Sequence, residues 1–421
     1  MVGGFAFVSY IQRMNISVAA ELMMPDLSLT KSQMGLIFGS FLWGYALFQV
    51  PAGRIGDSVG PRITLAVAAI LWGTTTTLTG FLPNRVISGG AAVLTSLWIL
   101  RFVLGAGEAA TFPVGARAIS NWTAPGERAF GYSLMVAGSS LAAAMTSPVV
   151  SWLMLRVGWR SSFYITSSLA FGIAIVWYIA VTDRPEQHKR VSPVELDAIT
   201  RHRTVEDLGS KTPRPSVVKL LSDRNTLFLT LSYTCEGYVL FIFVFWLYIY
   251  LVEVRGFSTL KGGIVAGLPW LAALALTPLG GLLCDRITAK KGRLAGARIV
   301  IMLGYGLSGV LLLVTARADS AVVSVAALCL SVGFLYFAEP AFWATAAHVA
   351  GENAGAASGI MNTAGIIGGI ISTSLTPVLV EHFGWIYALG SGAVVAMACA
   401  CAWLVFGRTK LFAPGPVVVD T

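Results

Sequence analysis

The chain has 421 residues, 56% of them hydrophobic and only 12% charged, with a formal net charge of +9. Soluble domains carry about a quarter charged residues, so this composition excludes a water-soluble protein and places the chain in a bilayer. No segment alternates in the manner of a barrel strand, which leaves helices to satisfy the backbone in lipid; the expected fold class is all-α integral membrane.

Twelve apolar segments can be drawn, each of about 20 residues and long enough to cross ~30 Å of hydrocarbon. They fall near 1–21, 33–53, 62–82, 93–118, 129–154, 161–181, 225–251, 262–283, 297–316, 321–346, 355–380 and 385–406. The first has no basic start and no small-residue cleavage site, so it is expected to remain as a spanning helix. It contains Arg13 within YIQRMNISVA, and Tyr10, Arg13 and Ser17 share a face by their i, i+3, i+7 spacing. A guanidinium fork matches a carboxylate, which makes Arg13 a candidate substrate anchor; the bland alternative is an arginine tied to backbone carbonyls.

The second segment carries Tyr45, with Phe41 and Gln49 one turn to either side, and it ends in GRIGDSVGPR. Segment four reads LWILRFVLGAGEAATFP and places Arg101 and Glu108 at bilayer depth. Each such charge costs roughly 2.5–3.5 kcal/mol, so ionised residues there usually line a cavity. Seven residues separate them along one helix face, about 10 Å apart. Glu108 is a candidate proton site, with Arg101 its expected partner; a static ion pair is the alternative. Tyr10 and Tyr45, Ser139 and Ser140 in segment five, and Asn362 in segment eleven, are weaker wall candidates, since small polar and aromatic residues in membrane helices more often serve packing.

Two further acids lie inside apolar spans, Glu236 in YTCEGYVLF and Glu339 in FLYFAEPAFW. Either could titrate during transport, or face a polar helix interface and stay silent. The five cysteines have no metal-type spacing and read as packing residues. None of the four histidines lies mid-membrane, and no HExxH or Cys-x-x-Cys is present, so neither an enzyme nor a metal or cofactor site is expected. The sequons at Asn15 and Asn121 fall within the membrane and on the cytoplasmic side.

With the N-terminus inside, cytoplasmic loops hold 20 of the 29 Lys and Arg and external loops hold 7. This asymmetry sets cytoplasmic termini in a cell (inner) membrane and accounts for the positive charge without a nucleic-acid partner. Nine of the 20 lie between Arg184 and Arg224, a solvated linker with a short helix expected over SPVELDAI.

The chain also repeats itself. VPAGRIGD ends at Asp57 and TPLGGLLCD at Asp285, an offset of 228; Pro148 and Pro377, then Trp159 and Trp385, follow at offsets of 229 and 226. Two six-helix halves are therefore expected: 1–182 and 225–407, joined by a cytoplasmic linker at 183–224 and followed by a cytoplasmic tail at 408–421. The recurring Gly-x-x-x-Asp, with Gly53, Asp57 and Arg62 in one half and Asp285 and Arg286 in the other, reads as a gate motif.

GRIGDSVGPR and its echo resemble the signature loop of the major facilitator superfamily. More narrowly, RFVLGAGEAATFP, NWTAPGERA, TDRPEQHKRVSPVELDAI and AASGIMNTAGIIGG are similar to the anion:cation symporter family. That family includes bacterial hexuronate, galactonate and glucarate transporters and vertebrate sialic-acid and vesicular glutamate carriers. The resemblance implies two rocking bundles, a substrate carboxylate on Arg13, and a proton on Glu108. Two departures stand out. Gln12 occupies the place where bacterial members carry an aspartate, and Ile366-Ile367-Gly368 lacks an expected asparagine, which leaves room for a less hydroxylated acid.

The function expected is therefore proton symport of a small organic anion, the chain working as a monomer in the lipid bilayer. Organophosphate or organic-acid exchange is an alternative that does not require Glu108. Proton-coupled efflux is another, though the Gly-Pro pair of such antiporters is missing, Pro148 following Ser147. A sensor would need a signalling domain, for which the twelve helices leave no room.

Overall fold

The computed structural model describes residues 1–84, 86–123, 128–200, 224–350 and 354–406. The stretch 201–223 of the expected linker and the expected tail at 408–421 lie outside these. Thirteen α-helices are present among the described residues: α1 Val2–Asp26, α2 Lys31–Val59, α3 Pro61–Phe81, α4 Gly90–Glu108, α5 Thr111–Trp122, α6 Arg128–Ala180, α7 Pro193–Thr200, α8 Arg224–Glu253, α9 Thr259–Lys291, α10 Arg293–Arg317, α11 Ala321–Ala350, α12 Ala354–Phe383 and α13 Trp385–Phe406. Ten stretches are long and apolar enough to cross a membrane. One of these covers both crossings of α6, and α1 adds a further crossing whose polar side chains are buried. The total is twelve.

The expected crossing at 93–118 is two helices, α4 and α5, broken at Ala109–Ala110 immediately after Glu108. Pro113 explains the break, because it has no N–H to offer the carbonyl of Ala109 four residues back. α6 bends between its two crossings at Gly158, where φ is 79°. α7 confirms the short helix expected over SPVELDAI.

The repeat is visible in the turns. Gly60 (φ 98°) joins α2 to α3 and Gly292 (φ 88°) joins α9 to α10; Gly158 and Gly384 (φ 87°) do the same for the last pair of crossings in each half. A single residue in the left-handed region reverses the chain there, and glycine is the one residue that enters it without a Cβ penalty.

Two compact units can be distinguished: Met1–Thr212 with Val244–Trp270 and Thr373–Glu381, and Pro213–Phe243 with Leu271–Ser372 and His382–Thr421. In the first, α1 lies along α6 and α2 along α4. Phe5 of α1 packs between Trp72 and Trp177, with ring centres 4.9 and 5.1 Å away. α2 and α4 touch backbone to backbone: a Cβ on Gly44 would collide with the carbonyl of Phe102, and one on Gly105 with that of Phe41. This is small-residue packing of the kind that holds helices together in lipid, where no hydrophobic force drives association.

Gly105→Ala is therefore expected to destabilise the fold by about 1–3 kcal/mol, the usual cost of overpacking. Thermal unfolding of the purified protein in detergent checks this; an unchanged transition would refute the contact.

The first unit also contains the ends of α8, α9 and α12, tied to α1 and α2 by polar contacts. Glu21 accepts hydrogen bonds from Tyr248 Oη (2.6 Å) and Thr259 Oγ1 (3.0 Å), and Lys31 Nζ lies 2.7 Å from Glu253. Ser32, just inside the capping box of Thr30 and Gln33, donates its N–H (2.8 Å) and its hydroxyl to Glu381.

In the second unit α10 packs on α11 and α13. Ser308 and Ser331 hydroxyls pair at 3.1 Å across the α10–α11 contact. Backbones of α8 and α12 meet where a Cβ on Gly237 would strike the carbonyl of Gly365, and one on Gly368 that of Thr234.

Candidate functional site: a buried arginine–glutamate pair

The chemistry of the first unit gathers around Glu108, which is fully buried at the end of α4. Its Oε1 accepts from Ser9 Oγ at 2.7 Å and Arg13 Nε at 2.9 Å, and Arg13 Nη2 lies 2.8 Å away. Its Oε2 is buried without a hydrogen-bond partner among the described residues. A buried ionised carboxylate is tolerable only when paired, and here one oxygen takes all the donors while the other is left bare.

Arg13 is 7% exposed and roofed by aromatic rings. Its guanidinium carbon is 4.4 Å from the centre of Tyr10, 5.0 Å from Tyr45 and 5.3 Å from Phe41. Such faces attract a cation by about 0.5–2 kcal/mol each while offering little water. Phe112 of α5 closes against Tyr10 at 6.3 Å.

Arg101 is not the direct partner of Glu108. It donates Nη1 to the carbonyl of Gln12 (3.1 Å) and Nη2 to that of Arg13 (2.8 Å), so it grips the backbone of α1. The helix repeat explains the difference: seven residues put Arg101 about 10 Å from Glu108 along the axis. A residue on a neighbouring helix meets the carboxylate instead. Arg101 thus holds Arg13 in place through its main chain, and its own guanidinium is 5.2 Å from Phe41.

Gln12 ties α1 to α6, donating Nε2 to the Thr166 carbonyl at 2.7 Å while its Oε1 has no hydrogen-bond partner among the described residues. Ser139 is buried on α6, its hydroxyl donating to the Val136 carbonyl at 2.8 Å. Asn362 is half-buried on α12, in the second unit. Glu236 and Glu339 are also there, on α8 and α11.

At the gate motif Gly53 is half-buried, and Asp57, Asp285 and Arg286 are exposed. Arg62 pairs elsewhere: its backbone N–H donates to Asp183 Oδ1 (2.8 Å) and its Nε to the Tyr178 carbonyl (2.8 Å). The carboxylate that caps α3 is therefore Asp183 of the TDRPE stretch. A Cβ at Gly60 would run into that same carboxylate.

Sequence reasoning did not single out Ser9, Phe41 as an arginine wall, Thr166 or Asp183. Ser9 is four residues before Arg13, so helical spacing alone could have placed it beside Glu108. Thr166 gave no signal, since its role depends on how α6 lies against α1.

The chain matches the Major Facilitator Superfamily over residues 2–373. It is 35% identical over 381 residues to a probable sulfoacetate transporter of Cupriavidus necator, covering 90% of this chain and 85% of that protein. It is 29% identical to the hexuronate transporter of Bacillus subtilis, with 90% and 86% covered. A probable galactarate/D-glucarate transporter of Escherichia coli is 28% identical, with 93% and 90% covered. Among solved structures, a bacterial homologue of the human lysosomal transporter Spinster superposes with a TM-score of 0.77 at 15% identity, covering 99% of this chain and 97% of that one. A D-xylose–proton symporter gives 0.75 at 14% identity, with 97% and 98% covered. The chain belongs to the Major Facilitator Superfamily and is a multi-pass membrane transporter, not an enzyme.

Proposed function

We propose that this transporter imports a small organic anion across the cell membrane together with protons, and that Arg13 and Glu108 are the coupling device. One observation carries the reading: the guanidinium suited to hold the substrate carboxylate is already occupied by Glu108. A proton on Glu108 cancels the charge that holds Arg13, and the guanidinium becomes free for an incoming anion. Proton and anion then favour each other's binding, and by linkage the coupling is reciprocal. The bare Oε2 is the atom where the proton sits. Arg101 keeps the α1 backbone fixed while Arg13 changes partner.

The substrate class follows from the walls. The rings of Tyr10, Phe41 and Tyr45 surround Arg13, with Phe112 against Tyr10, and the hydroxyls these walls carry are the two phenols. This environment favours a compact acid with few hydroxyls, and the sulfoacetate named for the Cupriavidus relative has that character. Sugar acids named for the other relatives carry hydroxyls that such walls serve less well. Alternating access would require the ties of Glu21, Lys31 and Ser32 to form and break in each cycle. In this reading both termini are cytoplasmic and the transporter works as a monomer.

Proteoliposome uptake of a panel of two-carbon to six-carbon carboxylates and sulfocarboxylates, with and without an inward proton gradient, tests this. The expected result is accumulation of a short sulfonate or carboxylate only with the gradient. Uptake indifferent to the gradient but stimulated by internal anion would mean exchange, with Glu108 a fixed partner of Arg13.

A further inference from the structure

The second unit holds two acids that the Arg13–Glu108 chemistry does not use. Glu236 on α8 and Glu339 on α11 are each about three turns or more from either end of their helix. Glu236 is 5% exposed and has no hydrogen-bond or ion-pair partner among the described residues. Glu339 accepts Tyr233 Oη and Trp343 Nε1 on the same oxygen, both at 2.6 Å. Tyr233 precedes Glu236 by three residues, so the two share a face of α8. Tyr305 of α10 is fully buried, its hydroxyl has no hydrogen-bond partner among the described residues, and its ring packs on Phe342 at 5.7 Å, which also packs on Tyr233 at 5.3 Å.

We propose that Glu236 and Glu339 form a second proton-binding site, with the exchangeable proton on Glu236 and Tyr305 as the donor that meets its carboxylate when the proton leaves. Three arguments support it. First, no cation compensates these acids: every described Lys, Arg and His of the second unit lies in the first or last two turns of its helix. A buried carboxyl without a counter-charge must hold a proton or a bound cation. The other titratable groups that interact with Glu236 are Tyr233, Tyr305 and Cys399, none of them cationic.

Second, the occupant is a proton rather than a metal ion. One Glu339 oxygen is already engaged by two donors, and among the described residues no group of three or more His, Cys, Asp or Glu side chains could hold a metal ion. Third, the repeat puts the pair in a meaningful place. α8 and α11 are the first and fourth crossings of the second half, as α1 and α4–α5 are of the first. Glu236 and Glu339 thus lie on the crossings that correspond to those of Arg13 and Glu108, at other positions along them. With Gln12 unable to titrate, a second proton has no seat near Arg13 other than Glu108 itself.

The coupling role rests on the proton-symport reading above; the site itself does not. Two measurements separate them. Infrared difference spectra of the purified protein across a pH step should show a carboxylic C=O band that is lost in Glu236→Gln and shifted in Tyr305→Phe. In proteoliposomes, the reversal potential should show one proton fewer per anion in Glu236→Gln, so that accumulation under a ~1-unit pH gradient falls about tenfold. Glu339→Gln provides a second variant if Glu236→Gln does not fold. No Glu236-dependent band, together with an unchanged reversal potential in coupled protein, overturns the proposal. A band that responds to sodium instead of pH overturns the proton as occupant. Gradient-independent uptake by wild type with the band intact would refute symport while leaving the site standing.

Discussion

Glu108→Gln abolishes gradient-driven accumulation while leaving anion exchange across the membrane. The substitution keeps the shape of the side chain and still allows Ser9 and Arg13 to hydrogen-bond to its amide oxygen. What it removes is the negative charge, so Arg13 is permanently in the state that protonation would otherwise create. Anion affinity at neutral pH should then match or exceed that of wild type, and should no longer strengthen as the pH falls. In wild type the sign is fixed by competition: the carboxylate of Glu108 holds Arg13, and a proton on it releases the guanidinium. A charged hydrogen-bonded contact is worth about 1.5–3 kcal/mol, so wild-type affinity should rise by roughly 10- to 150-fold from the deprotonated to the protonated limit. Binding to detergent-purified protein over a pH series, alongside counterflow and gradient-driven uptake, measures all three properties. Loss of exchange together with accumulation would show that Glu108 holds the helices and does not couple.

The twelve crossings were legible because bilayer thickness and the cost of charge in lipid leave few other solutions. Arg13, Arg101 and Glu108 stood out for the same reason. Their partners did not. Whether Glu108 meets Arg101 on its own helix or Arg13 on another depends on rotation of α1 against α4, and that is fixed by long-range contacts such as those of Arg101 with the carbonyls of Gln12 and Arg13. The break after Glu108 was readable in principle from Pro113, yet a continuous apolar run hid it. Asp183 was quoted only as part of a stretch resembling other family members. Its capping of α3 depends on the second crossing of α6 returning beside Gly60, a long-range contact that no local pattern encodes. Likewise Glu236 and Glu339 were visible as misplaced acids, but only the structure gives Glu339 its two donors and leaves Glu236 without one.

Arg13→Lys separates charge from geometry in the same pair. The ammonium keeps a positive charge near Glu108, so the fold is expected to survive. Arg13→Ala, by contrast, would strand a buried carboxylate at a cost of about 3–5 kcal/mol unless it picked up a proton. Lysine cannot present two parallel donors to a planar anion, and its compact, strongly hydrated head suits the ring walls of Tyr10, Phe41 and Tyr45 less well than a guanidinium does. Losing one charge-assisted hydrogen bond of about 1.5–3 kcal/mol should weaken anion binding by roughly 10- to 150-fold. The pH dependence should persist in Arg13→Lys, because Glu108 still competes for the cation. In the double variant Arg13→Lys/Glu108→Gln the pH dependence should vanish while affinity stays low, a non-additive pattern expected of residues in direct contact. Equal affinity of Arg13→Lys and wild type for every acid in the panel would place the substrate elsewhere and leave Arg13 as the structural counter-charge of Glu108.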